Sequence, residues 1–223
     1  MKTESVLGNL VKMWCATRGM ILAKYSSTDD RKALLQHVVR IKAQGRLLQS
    51  PADACQLISA LRATSHLDGD IAEVGTASGG SARLISEFSG DRRIHLFDTF
   101  EGLPRPGDLD VRFNQGSYAC SLEDVTHYLQ GCRVEFHKGY FPESASSIQA
   151  CRFSFVHLDV DLYQSTLDSL RFFYPRLTPG GIIITHDYAW AAGVDQAFSE
   201  FFRDKQEKPI ELIGYQAMIV KLS

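Results

Sequence analysis

From Asp70 onward, short β-branched runs alternate with helical patterns, and this alternation constrains the fold more than any other feature of the chain. DIAEVGT precedes GGSARLISEF, HLFDTF precedes SLEDVTHYLQ, VEFHKGYF precedes PESASSIQA, FSFVHLDVD precedes STLDSLRFFYPRL, and GGIIITHDY precedes GVDQAFSEFFRDK. Each pair reads as a strand followed by a helix, so the pattern predicts an α/β fold with a largely parallel sheet covered by helices on both faces. The C-terminal end breaks the rhythm. IELIGY and AMIVKL are two strand-like runs with only a tight connection between them, which can join antiparallel neighbours but not parallel ones. The expected sheet therefore has about seven strands, mostly parallel, with an antiparallel hairpin at its C-terminal end.

The first third reads differently. Helical patterns run from about Val6 to Lys24, Asp30 to Gln44 and Pro51 to Thr64, where Pro51 suits a first helical turn and Asp53 its positive end. Residues 1–69 are thus expected as a helical extension packed on a core of residues 70–223. No linker or repeat argues for further division, and 223 residues with 44% hydrophobic content suffice for one full core. A net charge of −2 supplies no attraction for phosphate backbones or anionic bilayers, so neither nucleic acid nor membrane is an expected partner. Lys12, Arg18 and Lys24 interrupt the apolar start, and the five cysteines (Cys15, Cys55, Cys120, Cys132, Cys151) form no zinc-ligand spacing. Both features fit a cytoplasmic protein with reduced thiols. The N-terminal helices carry more apolar surface than a helix lying alone on a small domain needs, and a homo-oligomer is expected.

In sheets of this kind, ligands bind beyond the carboxyl ends of the strands, so the residues at those ends carry the functional signal. The first strand ends in Glu73-Val74-Gly75-Thr76-Ala77-Ser78-Gly79-Gly80-Ser81. Its glycines permit a tight turn and a close ligand approach, and the following helix offers free N–H groups. The turn lacks the GKS/GKT ending of a P-loop and does not match GxGxxG. An acidic strand end before GxxxG suits the amino-acid end of S-adenosylmethionine, although such turns also occur as plain connectors. Asp98, at the second strand end, can accept the ribose hydroxyls of a nucleoside or cap the next turn. Gly139, after the third strand, stands where adenine would lie.

The fourth strand carries the sharpest signal, Phe155-Val156-His157-Leu158-Asp159-Val160-Asp161. Two carboxylates at the end of an apolar strand are costly to bury without compensation. As residues i and i+2 of one strand, they are expected to face the same side. The next strand ends in His186-Asp187, so Asp159, His186 and Asp187 are candidates to converge as ligands for Mg²⁺ or another divalent cation. A metal-free site with His186 contacting core or substrate is the competing reading. His157, inside the apolar strand, is expected to be a satisfied core histidine. The segment from Glu101 to Cys120 is long for a strand-to-helix connection, and is expected to be a mobile lid.

Five strand–helix units followed by a hairpin match the strand plan of Rossmann-like class I methyltransferases. Within about residues 70–202, AEVGTASGGSARLI, FDTFEGLP, FHKGYFPES, HLDVDLYQST, GGIIITHDY and GVDQAFSEFF resemble the macrocin O-methyltransferase (TylF) family. The resemblance is weaker before Leu47. It implies an S-adenosylmethionine-dependent O-methyltransferase whose cofactor residues include Glu73, Gly75, Thr76, Gly79, Gly80, Ser81, Asp98, Gly139 and Asp159. It also implies Asp159 and the pair after the next strand as metal ligands, Asp161 as general base, and a sugar or glycoside hydroxyl as acceptor. This chain has His186-Asp187 where the family pattern has two aspartates, so its ligand set carries one negative charge fewer. Phenols or catechols are the alternative acceptors, and a catalytically silent nucleoside-binding protein is the alternative outside enzymes.

Overall fold

Every strand expected from the sequence forms: β1 (Asp70–Val74), β2 (Ile94–Asp98), β3 (Val134–Lys138), β4 (Phe153–Leu158), β5 (Leu177–Thr185), β6 (Ile210–Glu211) and β7 (Ala217–Val220). The computed structural model describes residues 6–18 and 28–223. The strands join in one seven-stranded sheet of order β3-β2-β1-β4-β5-β7-β6. Pairing is parallel from β3 to β5 and antiparallel between β5 and β7 and between β7 and β6. β4 is buried at all of its positions, as a central strand with helices on both faces must be.

The helices of the sheet region are α3 (Pro51–Ala63), α4 (Gly80–Phe88), α5 (Leu122–Tyr128), α6 (Tyr163–Phe173) and α7 (Ala192–Phe202), numbered after two N-terminal ones, α1 (Val6–Ala16) and α2 (Asp29–Lys42). α3 starts as its sequence dictates: Ser50 caps it by accepting the Asp53 N–H at 3.2 Å, and Pro51 occupies the first turn. PESASSIQA forms only a 3₁₀ segment at Glu143–Ile148, because its serines compete for backbone hydrogen bonds and its short apolar face holds only Ala145 and Ile148. Phe172 and Phe173 of α6 pack on the sheet, with Phe173 edge-on to Phe153 at 5.0 Å.

The chain forms two compact units, residues 1–37 and 38–223. In the first, Val11, Met13 and Trp14 of α1 are exposed, and the Arg18 guanidinium lies 4.1 Å from the Trp14 ring centre. The continuation of the first helix to Lys24, expected from the sequence, falls outside the described residues beyond position 18. α2 opens with Asp29 and Asp30 and closes with Arg40 and Lys42, charges that complement its dipole. α3 belongs to the larger unit with the sheet. All five cysteines are free, and among the described residues no helix is long and apolar enough to cross a membrane.

Candidate active site

The parallel register lines up a polar row just beyond the strand ends. Val74 pairs with Phe97 and with Leu158, and Leu158 pairs with Thr185. One residue further on, Asp98, Gly75, Asp159 and His186 stand side by side. Backbone bonds hold the row: Gly75 N–H donates to Phe97 O, Asp159 N–H to Val74 O and His186 N–H to Leu158 O, each at 2.9 Å. Gly75 has φ +90°, and a Cβ there would lie 1.8 Å from the Asp159 carbonyl oxygen, so only glycine fits.

Two residues back along β1 and β4, a buried polar ladder supports Asp159 from below. Glu73 accepts from His157 Nδ1 at 2.9 Å, which leaves His157 Nε2 as an acceptor for the Gln49 amide at 3.0 Å. The same Gln49 amide donates to Asp159 Oδ2 at 3.1 Å. His157 is therefore the satisfied core histidine expected from the sequence. Glu73, by contrast, is fully buried and committed to His157, away from the cavity surface. Gln49 lies in the loop before α3, and nothing in its sequence context marks it.

Beyond the strands, Asp159, His186 and Asp187 come together with ligand atoms within 4.8 Å of one another. His186 Nδ1 is 3.0 Å from Asp187 and 3.4 Å from Asp159, and its Nε2 is 3.9 Å from Asp53 at the start of α3. Asp161 does not project from the strand beside Asp159, as the i, i+2 argument expects. β4 ends at Leu158, and Asp161 takes a left-handed conformation (φ +62°) in the turn before α6. Asp187 is left-handed as well (φ +60°).

Three acidic groups around one imidazole leave excess negative charge. Burial disfavours a charged His186, but Asp159, Asp187 and Asp53 outweigh it and raise its pKa strongly. Burial likewise disfavours a charged Asp159, yet His186 brings it down to about 2. Asp161 moves the other way. Burial, the charge of Asp159 and a hydrogen bond with Asp187 push it up to about 9. Two carboxylate oxygens and one imidazole nitrogen amid surplus negative charge are a donor set that fits a divalent cation.

This cluster opens into a cavity of about 790 Å³ that is also lined by Gly75, Ala77, Asp98, Gly139 and Tyr140. Asp98 accepts from Ala77 N–H at 2.8 Å and from Phe100 N–H at 2.7 Å, so it shapes the turn and still presents lone pairs to the cavity. Thr76, Gly79, Gly80 and Ser81, expected from the sequence to meet the cofactor, are not among the residues lining this cavity. A Cβ on Gly80 would strike the Arg46 backbone at 2.4 Å, which explains that glycine by packing. The segment from Glu101 to Cys120 forms one side of the cavity and is pinned at several points. Asp110 accepts from Tyr163 N–H and Gly107 N–H, Leu103 and Ser117 are bonded through their backbones, and Phe113 packs edge-on to Trp190. Tyr118, Trp190 and Tyr215 add aromatic surface beside the acidic cluster that sequence spacing does not reveal.

Residues 54–221 match the family model of macrocin-O-methyltransferase (TylF). The chain belongs to this family. Among curated relatives, it is 36% identical over 139 residues to an 8-demethyl-8-(2,3-dimethoxy-alpha-L-rhamnosyl)-tetracenomycin-C 4'-O-methyltransferase of Streptomyces olivaceus, covering 54% of this chain and 53% of that protein. It is 31% identical over 150 residues to a mycinamicin III 3''-O-methyltransferase of Micromonospora griseorubida, covering 58% of each. The matches thus span little more than half the length of these relatives. The solved structure of the O-methyltransferase NovP shares the fold, with a TM-score of 0.73 and 22% identity over 80% of this chain and 83% of that one. The Rossmann-like class and the antiparallel C-terminal hairpin expected of a TylF-family chain are both present.

Proposed function

We propose that this chain is an S-adenosylmethionine-dependent O-methyltransferase acting on a hydroxyl of a sugar or glycoside. The observation that carries the reading is a single cavity bounded at one part by Asp98, Gly75 and Gly139 and at another by Asp159, Asp161, His186 and Asp187. The first set suits a nucleoside: a carboxylate for ribose hydroxyls and glycines that admit close approach. The second suits an acceptor hydroxyl. The first relative's name gives a rhamnosyl-bearing acceptor, and the aromatic surface of Tyr118, Trp190 and Tyr215 is suited to a sugar ring's apolar face.

Direct displacement at an already activated methyl carbon asks the protein mainly for alignment and for a deprotonated oxygen. Asp159, His186 and Asp187 would hold Mg²⁺ or a similar cation, Gln49 keeping Asp159 in place. When bound, such a cation would supply Lewis acidity toward the hydroxyl. Asp161, in its ionised form, would take the acceptor's proton. The pinned Glu101 to Cys120 segment excludes water from one side. Residues 70–223 are the methyltransferase core in this reading, and α1, with Trp14 and Met13 exposed, contributes to a homo-oligomer.

The test is methyl transfer to matched glycosides and phenols, followed by mass spectrometry, with and without chelator. Methylation of a sugar hydroxyl that stops on chelation and returns with Mg²⁺ is the expected result. Transfer to phenols alone would replace the acceptor class, and chelator-resistant turnover would remove the metal. Asp159→Ala is expected to lose metal and activity together, whereas Asp161→Asn keeps metal and loses roughly 10²- to 10⁴-fold in turnover.

A further inference from the structure

A second set of ligating side chains lies on the β2–β3 edge of the sheet, outside the catalytic cavity. β2 and β3 pair in parallel with His95 opposite Glu135 and Phe97 opposite His137. Alternation along each strand therefore puts His95, Glu135 and His137 on one face. His95 Nδ1 is 3.0 Å from His137 Nε2 and 3.8 Å from a Glu135 oxygen, and His137 Nε2 is 3.7 Å from the other Glu135 oxygen. One ligand atom from each of the three lies within 4.8 Å of the other two, close enough to share one ion.

Hydrogen bonding favours the same set. Asp70 Oδ2 lies 3.1 Å from His95 Nε2, and a carboxylate can only accept, so Nε2 carries the proton and Nδ1 is an acceptor for the His137 Nε2 proton, which a bound ion would displace. A carboxylate behind a ligating imidazole is the usual support for a histidine that binds zinc. The His137 ring stacks on Phe97 at 4.5 Å, which fixes its orientation. His95 is fully buried, while the Glu135 side chain is 51% exposed. Cys151 also lies near Asp70 and His95, in a group separate from Glu135 and His137.

We propose that His95, His137 and Glu135 bind a borderline divalent transition ion of the Zn²⁺ type, with Asp70 as a positioning residue. The site is chemically distinct from the Asp159–His186–Asp187 set, having two nitrogens and one carboxylate where the rim has two carboxylates and one nitrogen. Because β3 is the terminal strand of the sheet, the ion clamps that edge to β2.

The experiment measures Zn²⁺ binding to the full chain by equilibrium dialysis with metal analysis, with Co²⁺ absorption as the geometric probe. Asp187→Asn, which damages the rim set, is expected to retain one tightly bound Zn²⁺. In that background, Glu135→Gln and His137→Phe are expected to weaken this ion by about 100-fold or more, and Asp70→Asn by about 10- to 100-fold. Glu135 is exposed enough for its variant to fold, so a misfolded His137→Phe would still leave the test decisive. Retention of the wild-type Zn²⁺ affinity and Co²⁺ spectrum in Glu135→Gln would overturn the proposal. So would loss of all Zn²⁺ in Asp187→Asn alone.

Discussion

Gly75→Ala tests how tightly the candidate active site depends on one backbone contact. The new methyl would sit 1.8 Å from the Asp159 carbonyl oxygen, where ordinary contact needs about 3.3 Å, so one backbone must retreat by about 1.5 Å. The φ of +90° adds a conformational cost of roughly 1–2 kcal/mol for any L side chain, and overpacking adds roughly 1–3 kcal/mol. Together, a loss of about 2–5 kcal/mol is expected, which for a domain of this size lowers the melting midpoint by roughly 5–20 °C. Asp159 bears the displacement, so cofactor and metal binding should fall with stability. Gly90→Ala is the control: its φ is +65°, but its Cβ would meet nothing within 4 Å, so about 1 kcal/mol is expected. Urea unfolding of both variants, with calorimetric titration of S-adenosylmethionine, separates the clash from the φ cost. Equal destabilisation of the two variants, or a Gly75→Ala protein with unchanged cofactor affinity, would refute the argument that the Asp159 carbonyl fixes this glycine.

Asp98→Ala should weaken S-adenosylmethionine binding by roughly 1–3 kcal/mol, the worth of hydrogen bonds to a charged group, and unchanged affinity by calorimetry would take Asp98 out of the site. With the proposed metal site, Gln49→Leu should raise the concentration of Mg²⁺ needed for half-maximal activity, because Asp159 loses its amide donor, while leaving saturated turnover closer to wild type; the metal titration of activity checks it. Glu207 accepts from the Tyr174 hydroxyl at 2.7 Å and from Leu222 N–H at 3.1 Å; these bonds and Lys221 overcome burial and hold its carboxyl down to about 2. A depressed carboxylate stabilises the fold above its unfolded value near 4.5 and loses that contribution as pH falls toward 2. Glu207→Gln should therefore cost on the order of 1 kcal/mol at pH 7, after screening, and nothing near pH 2, as read by chemical denaturation across that range.

Periodicity was enough to place all seven strands, because a two-residue alternation and a run of β-branched side chains report directly on burial. The family motifs HLDVDLYQST and GGIIITHDY likewise announced Asp159, His186 and Asp187, since charged groups at the ends of apolar strands stand out against their surroundings. What surrounds those groups was decided only by the tertiary structure. Gln49 and Asp53 reach the site from a segment more than a hundred residues before Asp159 and His186, through an amide and a helix start that look ordinary in sequence. The turn of Asp161 out of the strand, and the burial of Glu73 against His157, also escape a reading by strand period. A period fixes which face a side chain occupies, but its neighbours on that face come from strands brought together by crossovers. In the order β3-β2-β1-β4-β5-β7-β6, the partners of β1 are β2 and β4, and only folding sets Glu73 beside His157 and Gly75 beside Asp159.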